Sequence, residues 1–197
     1  MKLQDIDGYT PITQKSIDNV KCTRIISGEG SEKYNKYIQY LAKKVLLISA
    51  KRTDGHTHDE VGILARLDGT YESQPIYGYW DEKAETSIIN ITHNVEYNYM
   101  LDENKEQSLV FVHNHPNNSN TSINDILSAL GNDAIAIVVA VGNNGCIHYI
   151  SKEDTDSNYY RRLSSNIQKK INRKDITCEY SYNKLINNQN KFRITIR

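Results

Sequence analysis

Residues 108–131 read Ser108-Leu-Val-Phe-Val-His113-Asn-His115-Pro116-Asn-Asn-Ser-Asn-Thr-Ser122-Ile-Asn-Asp125-Ile-Leu-Ser-Ala-Leu130-Gly131. The short apolar run ends in histidine and reads as a buried strand, which Pro116 stops. A polar loop follows. From Ser122 the apolar residues Ile123, Ile126, Leu127 and Leu130 fall on one face of a helix, and Gly131 is its stop. A strand, a loop and a helix in that order form half of an α/β unit.

The flanking sequence extends this pattern. After the helix, Ala134–Val141 and Cys146–Ile150 are a strand pair around the hairpin signal Gly142-Asn-Asn-Gly145. Upstream, Val61–Arg66, Pro75–Trp80 and Ser87–Ile91 read as strands separated by charged or Asp68-Gly69 turns. Tyr34, Ile38, Leu41, Val45 and Ile48 recur at helical steps, which predicts an amphipathic helix from Glu32 to about Ala50. Residues 94–107 are polar and ambiguous. Tyr160, Leu163, Ile167 and Ile171 predict a further helix, residues 187–190 a loop, and Phe192, Ile194 and Ile196 a half-buried strand.

We therefore expect one α/β (α+β) core over 32–155, preceded by a polar segment, 1–31, and followed by a basic helix and strand extension, 156–197. A chain of 197 residues buries roughly 70% of its unfolded surface, so neither a disulfide nor a metal is required merely for folding. Cys22, Cys146 and Cys178 are odd in number and lack CxxC spacing, which points to a reducing compartment. The N-terminus lacks a signal-peptide stretch, and the longest apolar runs are too short to span a bilayer. A cytoplasmic protein without a membrane partner is expected.

Net charge is zero, yet residues 161–197 hold ten Lys/Arg against two Asp/Glu. Such a tail can meet nucleic acid, or simply be a solvated basic face against an acidic body.

The chemistry lies in His113, His115 and Asp125. Strand residues two apart point to one side, so both imidazoles can reach one ion. Asp125, on the first helical turn, can swing back toward the strand end. Two imidazoles and a carboxylate make a Zn2+ site with an open fourth position, the arrangement of a catalytic centre. Ser122-x-x-Asp125 is also a capping-box pattern, in which both side chains satisfy free backbone amides.

His113-x-His115-Pro116 followed by Ser122-x-x-Asp125 resembles the signature of the JAB1/MPN (JAMM) metalloproteases, in the bacterial branch that includes RadC-like proteins. The resemblance covers 32–155 and implies an MPN/JAB-like (cytidine-deaminase-like) mixed sheet flanked by helices. It implies His113, His115 and Asp125 as zinc ligands, Ser122 as oxyanion donor and a glutamate from an earlier strand as general base. Glu60, before Val61-Gly62-Ile63-Leu64, fills that last place, with Asp59 as the alternative. It further implies a metallopeptidase or isopeptidase that cleaves an amide through a zinc-bound water, acting on a protein, peptide or ubiquitin-like conjugate. The chain departs from the pattern in its loop, where six residues separate His115 from Ser122 and many members have seven.

His56-x-His58 with Asp59 is a competing metal cluster or a pair of exposed loop histidines, and His93 and His148 read as partly buried strand residues. Tyr71, Tyr77, Tyr79 and Trp80 are core or a substrate groove. No HExxH helix, GxSxG elbow or dinucleotide fingerprint is present. Two further readings stay open: a RadC-like nucleic-acid-associated protein using the basic tail, and a non-catalytic MPN scaffold.

Overall fold

A computed structural model describes residues 10–21, 24–52, 60–81, 86–89, 94–104, 107–153 and 156–197. Helix α1 (Gln14–Asn19) precedes the long α2 (Ser31–Ala50). Strands β1 (Val61–Arg66), β2 (Ile76–Tyr77), β3 (Tyr79–Asp81) and β4 (Thr86–Ile88) lead to α3 (Val95–Glu103). Then come β5 (Leu109–His115), α4 (Ile123–Gly131), β6 (Ile135–Gly142) and β7 (Ile147–Lys152). The chain ends with α5 (Ser157–Asn172), α6 (Cys178–Ile186), α7 (Gln189–Phe192) and β8 (Ile194–Ile196).

Six strands form a mixed sheet in the order β2-β1-β5-β6-β7-β8, and β3 pairs with β4 separately. Among the described strands only β5 and β6 pair in parallel, with α4 carrying the chain across between them. All seven residues of β5 are buried, as expected of a strand covered on both faces. Leu109 and Phe111 pack with α3, α4, α5 and α6, whereas Val110 and Val112 pack with α1 and α2. Carried two residues further, the alternation turns His113 and His115 toward α4 and leaves Asn114 on the α2 side. The sheet is thus an α/β layer structure with helices on both faces.

Several local expectations need correction. The run 75–80 is two short strands: Ile76–Tyr77 pairs with β1, a pairing that the Gly78 N–H extends to the Glu60 carbonyl (2.7 Å), whereas Tyr79–Asp81 pairs with β4 outside the main sheet. The ambiguous segment 94–107 contains α3, which Asn94 caps and which buries Tyr97 and Met100. Residues 189 and 190 belong to α7 rather than to a loop. Tyr71, Tyr77 and Tyr79 are exposed rather than core.

Described residues on either side of the 32–155 core pack against the same sheet. Ile17, Val20 and Ile25 lie under α2 despite the polar composition around them. A Cβ on Gly145, which turns the β6–β7 hairpin at φ +90°, would stand 2.2 Å from the Ser16 carbonyl oxygen, so this glycine is what lets α1 approach the hairpin. On the C-terminal side Tyr160, Leu185 and Ile194 share the core of α4, and β8 is one edge strand of the sheet, opposite β2. Cys146 and Cys178 are exposed thiols, while Cys22 lies outside the described residues. Among the described residues no helix is long and apolar enough to cross a membrane.

Candidate metal centre

The carboxyl end of β5 and the amino end of α4 meet on one side of the sheet, a usual place for a site in an open α/β layer. His113 and His115 project there, their Nε2 atoms 3.0 Å apart, and both rings are almost fully buried. The Asp125 carboxylate approaches from α4. Its Oδ1 is 3.2 Å from His113 Nε2 and its Oδ2 is 3.5 Å from His115 Nε2. Glu60 enters from the start of β1, with Oε1 3.8 Å from His115 Nε2.

The two readings of Ser122-x-x-Asp125 hold together. Ser122 is the N-cap of α4, its Oγ accepting the Asp125 N–H (3.1 Å), while Asp125 Oδ2 accepts the Ser122 N–H (2.6 Å). The capping box does not compete with the site; it aims the carboxylate at the histidines. Because Ser122 Oγ is the acceptor in that bond, its hydroxyl proton remains available for donation. The Ser122 side chain is exposed at the rim.

Two contacts orient the rings. His115 Nδ1 donates to the Ser119 carbonyl (2.9 Å), with Ser119 Oγ at 3.0 Å. A carbonyl can only accept, so Nδ1 carries the hydrogen, and in the neutral form that binds a metal the ring would turn its Nε2 lone pair inward. His113 stacks on Phe111, centroids 5.1 Å apart and planes 13° from parallel. Its Nδ1 is buried without a hydrogen-bond partner among the described residues.

The electrostatics follow from this crowding. Burial alone disfavours a charged His115, but the hydrogen bond and charge of Asp125, with Glu60 adding to them, lift it to about 9. Burial dominates at His113 and pushes it down, although Asp125 opposes the shift. Burial would raise Asp125, yet the two histidines outweigh it and hold the carboxyl well below its usual range.

Glu60, His113 and His115 each offer a ligand atom within 4.8 Å of the others, a group that could hold a metal ion. The donors also pass a test of size. Ligand atoms at zinc bond lengths and tetrahedral angles stand about 3.3 Å apart. The two Nε2 atoms are 3.0 Å apart, and the Asp125 carboxylate sets Oδ1 3.2 Å from one and Oδ2 3.5 Å from the other, close to that value on both sides. Nitrogen and carboxylate donors suit zinc and related divalent ions alike.

The structure therefore brings together four residues singled out in the sequence and sets the fifth, Ser122, beside Asp125. Asp59, His56, His58 and His93 lie outside the described residues. His148 is half-buried on β7. Sequence reasoning missed Ser119 and Phe111, which orient the two rings. A serine in a polar loop carries no signal of that role, whereas Phe111 was legible by strand alternation with His113.

No protein-family model, no curated protein and no solved structure matches the chain.

Proposed function

We propose that the chain is a zinc-dependent metallopeptidase or isopeptidase of the JAB1/MPN (JAMM) type, with an MPN-like core akin to RadC-like proteins. One observation carries the reading: two buried imidazole nitrogens and a helix-borne carboxylate converge at 3.0–3.5 Å, with a second carboxylate, Glu60, just beyond at 3.8 Å. The mixed sheet with helices on both faces agrees with such a core.

His113, His115 and Asp125 would hold the ion. Zinc, when bound, supplies a Lewis acid that makes water a nucleophile near neutral pH. Glu60 is the general base. Its carboxylate takes the proton of the attacking water and passes it to the departing amine as the C–N bond breaks. The Ser122 hydroxyl donates to the negative oxygen developing on the scissile carbonyl. Ser119 keeps the His115 ring from turning, and the capping box does the same for Asp125, so the donors need little reorganisation.

The test is hydrolysis of a panel of peptide and isopeptide substrates by purified protein, before and after chelation and after zinc is restored. Cleavage that chelation abolishes and zinc returns, and that is absent from Glu60→Gln, supports the reading. Zinc-independent cleavage, or none across the panel, counts against it, and metal uptake without cleavage favours a non-catalytic MPN scaffold.

A second reading rests on α5. Arg161, Arg162, Lys169, Lys170, Arg173 and Lys174 are all exposed, and no acidic residue lies between Ser157 and Lys174. A RadC-like nucleic-acid-associated protein would use this face, and its affinity would fall steeply with salt. A flat salt response in a filter-binding titration removes it.

A further inference from the structure

Asn114, between the two histidines, points to the opposite side of the sheet and is fully buried. The β1–β5 backbone register ends at Gly62 opposite His113. One residue further, the side chain replaces the backbone: Asn114 Oδ1 accepts the Val61 N–H at 2.7 Å. The other end of that same peptide unit, the Glu60 carbonyl, accepts the Gly78 N–H at 2.7 Å. The peptide joining Glu60 to Val61 is therefore held at both its oxygen and its nitrogen. This matters because β1 begins at Val61, and the Gly78 bond to Glu60 lies at the very end of the β1–β2 ladder.

The amide is itself held. Asn114 Nδ2 donates to Oδ1 of Asn143 (2.9 Å), which is also fully buried, and Asn143 Nδ2 donates to the Thr10 carbonyl (2.8 Å). Thr10 N–H in turn donates to the Pro116 carbonyl (3.0 Å), at the turn just after His115. Since Val61 N–H can only donate, Asn114 must present its oxygen to it, and every bond in the chain has one allowed sense. A buried amide network satisfied in this way is stiff, and breaking one member leaves the others unpaired.

We propose that Asn114 is a positioning residue that fixes Glu60 against His115 through the Glu60–Val61 peptide, with Asn143 and Thr10 as its support. Its place in catalysis rests on the hydrolase reading above; its hold on the peptide does not. The inference concerns how a base at the very start of a strand is kept on target, since a displacement of about 1 Å at such a group can lower a rate on the order of 100-fold.

The test has two arms. In the metal-free full chain, amide exchange followed by NMR should show Val61 and Gly78 quickened about tenfold or more in Asn114→Ala, with Ile63 and Val112 within about twofold of wild type. Asn114→Asp keeps an acceptor for the Val61 N–H but loses the donor to Asn143 Oδ1, so it should restore the Val61 protection only in part. If Asn114→Ala does not fold, Asn143→Ala should quicken Val61 about threefold while sparing Ile63. Unchanged Val61 exchange, or equal quickening across the whole sheet, overturns the proposal.

In the second arm, on a substrate that wild type cleaves, Asn114→Ala should lower kcat about as far as Glu60→Gln, with KM within about twofold. The double variant should be no slower than Glu60→Gln alone, because the two changes remove one function. Additive losses, or an unchanged kcat in Asn114→Ala, overturn it. Absence of hydrolysis in wild type sinks the hydrolase reading alone, and the exchange arm then decides the hold on the peptide.

Discussion

Oδ1 of Asp125 stands 3.2 Å from Nε2 of His113, although the two residues lie on different elements and a polar loop apart. The helix cap supplies the link. Asp125 is the N3 residue of α4, and Ser122 N–H holds its other oxygen at 2.6 Å. The same four residues that start the helix thus set the carboxylate over the strand end, and local folding and site geometry are one construction.

Ser122 should accordingly show two separable losses. Replacing it with Ala removes the cap and should destabilise the fold by about 1 kcal/mol. Ser122→Asn supplies a good cap and should recover most of that in a denaturant titration. In neither variant is the hydroxyl present, so kcat should stay down by roughly 100- to 1,000-fold in both.

Glu60→Gln tests whether Glu60 is the proposed base or a ligand. At 3.8 Å from His115 Nε2, Glu60 stands further out than Asp125. The variant should keep its zinc, measured by atomic emission, while kcat falls at least about 100-fold. Loss of zinc with the charge would make Glu60 a ligand instead.

Gly62 tests the support beneath His113. A Cβ there would lie 2.7 Å from Phe111 Cε2, and Phe111 is the ring on which His113 stacks. Gly62→Ala should destabilise by about 1–3 kcal/mol through overpacking, and zinc affinity should weaken as the His113 ring is displaced. Unchanged affinity with the expected loss of stability would show that the stacking does not orient the ring.

Lys152, remote from the site, governs part of the pH dependence of stability. Burial lowers its ammonium to about 8 against an ordinary value of 10.5, with Asp133 partly opposing, while Nζ donates to the Asn132 carbonyl (2.7 Å). Below about 8 both folded and unfolded chains carry this proton and the fold bears the full penalty. Between about 8 and 10.5 the unfolded chain binds it more strongly than the folded one, so this group makes stability rise with pH. The total is on the order of 3 kcal/mol. Lys152→Met should remove that rise when chemical denaturation of the two proteins is compared across the window. An identical slope in both would contradict the assignment.

Much of this was legible in the sequence because the relevant patterns are short. The β5 run, Pro116 and the Ser122 cap each act within a few residues, so strand, loop and α4 could be read directly, as could α2 and the Gly142–Gly145 hairpin. What escaped depends on distant partners. Helix α3 has weak amphipathicity and is fixed by burying Tyr97, whose hydroxyl donates to the Gly62 carbonyl. Helix α1 has few apolar residues and is fixed by packing beneath α2. At the site, the two histidines and Asp125 follow from spacing, whereas the approach of Glu60 depends on pairing between β1 and β5, which lie far apart in sequence. The Asn114–Asn143–Thr10 chain has no sequence signature, because asparagines in an Asn-rich protein look like loop residues until the sheet assembles them.

The most direct test of the metal centre is the metal content of the purified protein beside His115→Ala and Asp125→Ala, each confirmed as folded. About one zinc per wild-type chain is expected, with both variants nearly empty. A wild-type protein that takes up no zinc when offered it, or an Asp125→Ala variant that keeps a full complement, would contradict the site described here.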